Sequence, residues 1–279
     1  MNLEALPPLR ESLERHGLIA RKSFVQHFLL DLNVTRKIAR LAGPLDGQTV
    51  IEVGPGPGGL TRALLEAGAR VIAIEKDARF VPLLEELADA ASDQLTVVRA
   101  DALAADEAAL LAEHAGGAEA SVVSNLPYNV GTPLLVKWLT GAWRPHSMTL
   151  MFQKEVAQRL VAQAGDASYG RLSVIAQATA SGRLVMDLPA RAFTPPPKVD
   201  SAVLRLDPLP AAPDPVLIAA LERVTAAAFG QRRKMLRSSL KTLGGEGLCL
   251  AAGLNPNQRA ETVPVAGFLR LAEELLNAS

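Results

Sequence analysis

The chain has 279 residues, 49% of them hydrophobic, and its 29 acidic and 29 basic side chains leave no net charge when histidine is neutral. Such a length can bury one large domain, or a large one with a small companion, and the charge balance excludes a nucleic-acid binder that is basic over its whole length. The single cysteine, Cys249, excludes a disulfide framework, and four scattered histidines give no metal-ligand spacing, so no metal is expected.

No basic segment followed by an apolar stretch opens the chain, and no apolar run reaches the ~18 residues of a spanning helix. Neither a secretory signal nor a membrane segment is expected, and the cysteine usage fits a reducing cytoplasm. Residues 1–47 read as a helical lead-in, in which the stretch from Arg15 to His27 carries Arg15, Arg21 and Lys22 and no carboxylate. From Thr49 the pattern changes to short apolar runs at 49–53, 70–74, 95–99, 120–124 and 147–152, each suited to a strand buried on both faces. Between them, 60–67, 80–90, 107–114 and 133–139 suit amphipathic crossover helices. This alternation predicts an α/β fold with a doubly wound, mostly parallel sheet.

Beyond Gln153 the rhythm changes. Residues 154–164 and 172–180 read as helices, and 184–188 and 201–206 as two further strands around a proline-rich turn. Residues 208–215 then hold four prolines in eight positions, which neither a helix nor a central strand accepts. A stiff linker is predicted there, dividing a catalytic domain at 1–207 from a small all-helical domain at 216–279.

The chemistry begins at Glu52-Val53-Gly54-Pro55-Gly56-Pro57-Gly58-Gly59, which ends the first predicted strand and opens the first helix. Glycines let the backbone turn sharply and approach a ligand closely. Alone this is a weak signal, shared with dehydrogenases and with plain tight turns. Glu75 ends the second strand, 21 residues after Gly54, where an acid can hold ribose hydroxyls; Asp101 ends the third and Asn125 the fourth. Each alone could be a helix cap, but a polar residue at each successive strand tip is what a ligand crevice across the sheet requires. Prolines 55 and 57 stiffen the turn and the strict G-x-G-x-x-G of a pyrophosphate loop is missing, which suits S-adenosylmethionine, a ligand without phosphate.

Asn125-Leu126-Pro127-Tyr128 is the most informative tetrapeptide. The exocyclic N6 amine of adenine is a poor nucleophile because its lone pair is delocalised into the ring. Accepting hydrogen bonds from both N6 hydrogens favours a tetrahedral nitrogen with a localised lone pair, and no strong base is needed. The Asn125 side-chain oxygen and the Leu126 carbonyl are suitable acceptors, Pro127 would fix the turn, and Tyr128 can stack on an extruded base.

With these residues in hand, the sequence resembles the ribosomal RNA adenine N6-dimethyltransferase family over nearly its whole length. The likeness begins at Arg21-Lys22-Ser23-Phe24-Val25-Gln26-His27-Phe28-Leu29 and continues through 52–56, 125–129, Gln153-Lys154-Glu155-Val156, Tyr169-Gly170-Arg171-Leu172-Ser173-Val174 and Phe193-Thr194-Pro195-Pro196-Pro197-Lys198-Val199-Asp200-Ser201. The last two blocks are specific to this family and its near relatives. The resemblance implies a Rossmann-like class I methyltransferase sheet with a small all-helical C-terminal domain, and S-adenosyl-L-methionine as methyl donor. It implies a donor site formed by His27, Leu29, Gly54, Gly56, Glu75, Lys76, Asp101, Ala102 and Asn125, and catalytic roles for Asn125, Leu126, Pro127, Tyr128 and Phe193, with Phe193 stacking on the target adenine opposite Tyr128. Without the family, Phe193 reads as a core residue. His27 stands where many relatives have Asn, and Val25 where many have Gly.

The resemblance further implies dimethylation of two adjacent adenosines near the 3′ end of 16S rRNA, within the 30S subunit or its precursor, with a role in ribosome biogenesis. RNA contacts are expected from Arg21 and Lys22, and from Arg232, Arg233, Lys234 and Arg237, in a stretch read as helical with no acid between Phe229 and Thr242. A solvated helix face is the bland reading of that stretch. Rival readings are a large-subunit rRNA methyltransferase, a DNA adenine methyltransferase, a non-catalytic assembly factor on the same fold, and a nicotinamide dehydrogenase, which would leave Asn125–Tyr128 unexplained. A monomer is expected.

Overall fold

The computed structural model describes residues 3, 6–18, 27–231 and 233–278. The elements run α1 (Leu9–Arg15), α2 (Leu32–Leu41), β1 (Thr49–Val53), α3 (Gly59–Glu66), β2 (Arg70–Glu75), α4 (Val81–Ala90), β3 (Leu95–Arg99), α5 (Glu107–Ala115), β4 (Ala120–Asn125), α6 (Tyr128–Thr140), β5 (Met148–Gln153), α7 (Lys154–Val161), α8 (Arg171–Thr179), β6 (Ala180–Leu188), β7 (Ser201–Pro208), α9 (Pro215–Gly230), α10 (Leu236–Ser239), α11 (Gly245–Ala251) and α12 (Val265–Asn277). The seven strands form one sheet in the order β3-β2-β1-β4-β5-β7-β6. Neighbours from β3 through β5 pair in parallel, and β7 runs antiparallel to β5.

The first five strands stand where the apolar runs predict them, within a residue at either end. Every residue of β1 is buried, as a central strand covered on both faces requires. Three elements extend beyond the sequence expectation by two residues or more, and one of them, β7, runs on from 206 to Pro208, the first proline of the stretch read as a linker. β6 begins at Ala180 rather than at 184. α6 begins at Tyr128 rather than at 133, because the Pro127 carbonyl accepts the first helical bonds, from the amides of Val130 and Gly131. Pro133 is therefore an interior residue of α6 and not its opening.

The chain divides into two compact units, one of 1–134, 145–154 and 184–206, the other of 135–144, 155–183 and 207–279. The first holds a core with Ile38, Val50, Leu64, Val71, Val123 and Val203, and beside it Leu13 and Leu18 cluster with Phe80, Leu83 and Leu84 of the α4 region. The second holds a core in which Tyr169, Val174, Ile175 and Ala178 bury with Leu221, Val224, Phe268 and Leu271. The sequence-drawn boundary at 208–215 differs from this division. α8 turns its apolar residues to partners that lie beyond the prolines in the chain, and the Tyr169 hydroxyl donates to the Val263 carbonyl at 2.9 Å.

Within the proline-rich stretch, Pro215 opens α9 and the Asp214 side chain caps it, accepting from the Leu217 amide at 2.8 Å. The basic stretch after α9 is not one helix. α9 ends at Gly230, and the amides of Leu236 and Arg237 donate to the Gln258 and Pro256 carbonyls instead of to a preceding helical turn.

Candidate active site

The carboxyl ends of the parallel strands carry the predicted polar residues. After β1, Gly54 (φ 66°), Gly56 (φ 55°) and Gly58 (φ 82°) all adopt left-handed backbone, a region open to glycine at little cost. Close approach adds a second constraint. A Cβ on Gly54 would lie 3.2 Å from the Pro127 ring, one on Gly56 3.1 Å from the Phe28 ring, and one on Gly59 2.6 Å from the Leu29 carbonyl oxygen. The glycine turn is thus where the 27–29 segment, β1 and the turn after β4 pass one another with no room for side chains. Ser124 Oγ ties two of them, donating to the Val53 carbonyl at 2.6 Å.

Two cavities open at these strand tips. One, of about 240 Å³, is lined by Glu75, Lys76, Asp77, Asp101, Ala102 and Leu103 among others. The other, of about 520 Å³, is lined by residues of 27–29, the glycine turn and 125–129. Gly54, Pro127 and Asn129 line both. Glu75 is buried at the tip of β2, and its two oxygens accept from the Gly56 amide (3.1 Å) and the Asp77 amide (2.7 Å). Burial raises its pKa above the usual carboxyl range, against those two backbone donors. Asp101 accepts from the Leu103 amide at 3.0 Å with one oxygen and from Lys76 Nζ at 2.8 Å with the other.

Asn125 is the last residue of β4, paired in register with Met151 of β5, and it faces the larger cavity together with Leu126, Pro127 and Tyr128. The Leu126 residue is itself buried, at 1% exposure. The Tyr128 hydroxyl meets Ser201 Oγ at 2.7 Å. His27 and Leu29 line the same cavity, and His27 Nδ1 sits 2.8 Å from the Pro195 carbonyl oxygen.

Phe193, expected to stack on the target base, stands outside both cavities in this structure. It is 3% exposed and packs in the core with Leu29, Leu188 and Val203. Its neighbour Thr194 exchanges backbone hydrogen bonds with Phe28 at 2.9 and 3.0 Å. Arg21, Lys22 and Arg232 lie outside the described residues. Arg233, Lys234 and Arg237 are exposed, the first two in non-helical chain and the third in the short α10.

Sequence reasoning passes over two groups. Glu52 reads as one acid inside an apolar strand, but it is 1% exposed, lines the larger cavity, and leaves its Oε2 without a hydrogen-bond partner. Burial pushes its pKa up to about 8. Its position two residues before Gly54 is the only signal of this in the sequence. Ser201, the partner of Tyr128, carries no signal beyond its place at the end of the proline block.

The reversed seventh strand separates this sheet from the six-stranded parallel order of dinucleotide-binding dehydrogenases. At the tip of β4 the cavity meets an amide followed by a rigid turn, not a cradle for phosphate. This is the layout of a class I methyltransferase.

The comparisons with known proteins narrow that class. Residues 17–277 match the family described as "Ribosomal RNA adenine dimethylase". "Ribosomal RNA small subunit methyltransferase A" of Phenylobacterium zucineum is 71% identical, covering 99% of this chain and 95% of that protein. The protein of the same description from Caulobacter vibrioides is 67% identical, covering 94% and 99%. Among solved structures, a dimethyladenosine transferase from Plasmodium falciparum superposes with a TM-score of 0.72 at 23% identity, covering 88% of this chain and 96% of the other, a likeness of fold. The 23S rRNA methyltransferase ErmE superposes at 0.66 with 27% identity, covering 89% and 99%. The chain belongs to the ribosomal RNA adenine dimethylase family, whose methyl donor is S-adenosylmethionine.

Proposed function

We propose that this enzyme dimethylates N6 of two adjacent adenosines near the 3′ end of 16S rRNA, within the 30S subunit or its precursor, as a monomer in the cytoplasm and as a step of ribosome biogenesis. The observation that carries the reading is the Asn125–Tyr128 turn, which faces a cavity lined by the glycine turn and sharing Gly54, Pro127 and Asn129 with the cavity that Glu75 lines. The names of the relatives at 71% and 67% identity favour small-subunit RNA. The likeness to a 23S rRNA methyltransferase, at 27% identity, is the basis for a large-subunit alternative.

The residues present fit S-adenosylmethionine. Glu52, buried with one oxygen unpartnered, lines the larger cavity and would be held ionised by a cationic ligand, Gly54 and Gly56 line that cavity with bare backbone, and Glu75 stands where ribose hydroxyls could donate to it. His27, Leu29, Gly54, Gly56, Glu75, Lys76, Asp101, Ala102 and Asn125 would hold it. When bound, it supplies an electrophilic methyl group on a sulfonium.

The chain's own part is to orient and to bind. In the first transfer the Asn125 side-chain oxygen and the Leu126 carbonyl accept the two N6 hydrogens and so localise the amine's lone pair. In the second, one of them accepts the single hydrogen that remains, and in each the proton lost from the methylated nitrogen passes to solvent. Pro127 holds both acceptors at a fixed spacing, and the Tyr128 ring stacks on the base. Preorganised acceptors need no rearrangement during transfer. A second stacking partner from Phe193 would require that side chain to leave its core. Arg233, Lys234 and Arg237 are proposed to meet RNA phosphates, with Arg21, Lys22 and Arg232.

The test is radiolabelled methyl transfer to small subunits lacking the modification, followed by mapping of the labelled base. Label on two neighbouring adenines of the small-subunit RNA supports the reading. Label confined to large-subunit RNA would move the assignment to the alternative, and no label on either RNA would end it.

A further inference from the structure

Ser201 is remote in sequence from the turn that it touches. It is fully buried at the first position of β7, where the register sets it opposite Gln153 of β5. The residue before it is fixed on two sides: the Asp200 carbonyl accepts from the Lys154 amide at 2.9 Å, and its carboxylate from the Ala190 amide at 2.9 Å. The sheet therefore sets the position of Ser201 Oγ.

Tyr128 is differently placed. It opens α6 immediately after the turn, it is half-buried, and it lines the larger cavity. Its ring centroid lies 6.1 Å from that of His27, tilted by 36°, too open an arrangement to clamp it. Its hydroxyl is held at 2.7 Å by Ser201 Oγ. A tyrosine ring turns about two bonds. A bond at the far oxygen fixes the swing about the first, and because that oxygen lies on the axis of the second it restrains the ring plane only through the in-plane preference of the phenol O–H. Burial raises the phenol's pKa, so the hydroxyl stays protonated and able to bond at neutral pH.

We propose that Ser201 is a positioning residue: its hydroxyl holds the far end of the Tyr128 ring in one place, so that the ring stays against the cavity as a platform for the target base. Ser201 does not line the cavity, so it acts on the base only through Tyr128. The proposal rests on the adenine-transfer reading above. It separates Ser201 from a serine that merely packs, because a packing role would not be coupled to the tyrosine oxygen.

The experiment compares Ser201→Ala, Tyr128→Phe and the double variant with the full chain, using radiolabelled S-adenosylmethionine and small subunits that lack the modification. Each single change removes one end of the same hydrogen bond. Each is expected to lower kcat about five- to tenfold, the equivalent of one net hydrogen bond, with KM for S-adenosylmethionine moved less than about twofold. The double variant is expected to lose no more than the poorer single one, as coupled residues do. Wild-type turnover in Ser201→Ala, or a double loss equal to the product of the single losses, overturns the proposal. If Ser201→Ala does not fold, Tyr128→Phe decides alone: unchanged kcat overturns the platform and a selective loss of kcat supports it. Absence of transfer by the unaltered chain is a different result, since it defeats the adenine-transfer reading itself.

Discussion

At the scale of single residues, Asn125 and Glu52 make opposite demands on their surroundings. Asn125 is tied into β4 and lines the cavity, and its side-chain oxygen is proposed to accept from N6, so Asn125→Ala is expected to abolish transfer while donor affinity stays within about tenfold. Turnover near wild type in that variant would remove the proposed amine geometry. Glu52 is an acid held where the charged form is poorly solvated, and its pKa is pushed from 4.5 up to about 8. The folded chain therefore binds a proton between those values that the unfolded chain does not, and stability falls as pH rises through that window. Above about pH 8 the loss is complete. Glu52→Gln keeps the shape and removes the titration, so the melting temperature of the parent chain should fall relative to the variant as pH rises from about 5 to about 8.5. Parallel curves for the two proteins would show that Glu52 is ionised in the folded chain already.

At the scale of elements, the first five strands and the residues at their tips are legible in the sequence because a buried strand must be apolar throughout and its last residue need not be. Boundaries set by hydrogen bonds are less so. Pro133 resembles a helix start, yet the Pro127 carbonyl takes up the first amides of α6 and moves the start back to Tyr128, which puts the residue proposed to stack on the base on the helix and not in a loop. Phe193 carries two readings: motif likeness places it on the target base, and the core reading of an aromatic side chain matches its burial here. The close approach at Gly59 has no sequence signal at all, since it depends on Leu29, 30 residues away in the chain. With only 2.6 Å between the Leu29 carbonyl oxygen and the place a Cβ would occupy, Gly59→Ala must push the 27–29 segment off α3. It should cost about 1–3 kcal/mol of stability, as other overpacking does, and weaken donor binding, because His27 and Leu29 line the larger cavity. Calorimetric melting and titration with S-adenosylmethionine measure both, and a variant unchanged in each would mean the segment yields freely.

For the whole molecule, composition alone conceals how charge and packing are distributed. The prolines at 208–215 run from the last residue of β7 to the first of α9, but α8 packs with helices that follow them, since an apolar helix face is completed by whatever meets it in space. Net charge is equally uninformative: a total of zero coexists with Arg233, Lys234, Arg237 and Lys241 in a stretch from Phe229 to Thr242 that contains no acid. Breaking that stretch between non-helical chain and α10 frees Arg233 and Lys234 from the spacing of a single helix. Cations that meet phosphates release counterions, so RNA affinity falls with salt in proportion to the number of phosphates neutralised. Replacing Arg233, Lys234 and Arg237 together with Gln should weaken binding to small subunits and reduce the slope of log K against log salt by as much as about 2 to 3, at ~0.7–0.9 for each phosphate left without its cation. Donor affinity should be untouched, because none of the three lines either cavity. An unaltered salt slope would assign the RNA-binding role to other residues and leave this stretch as a solvated surface.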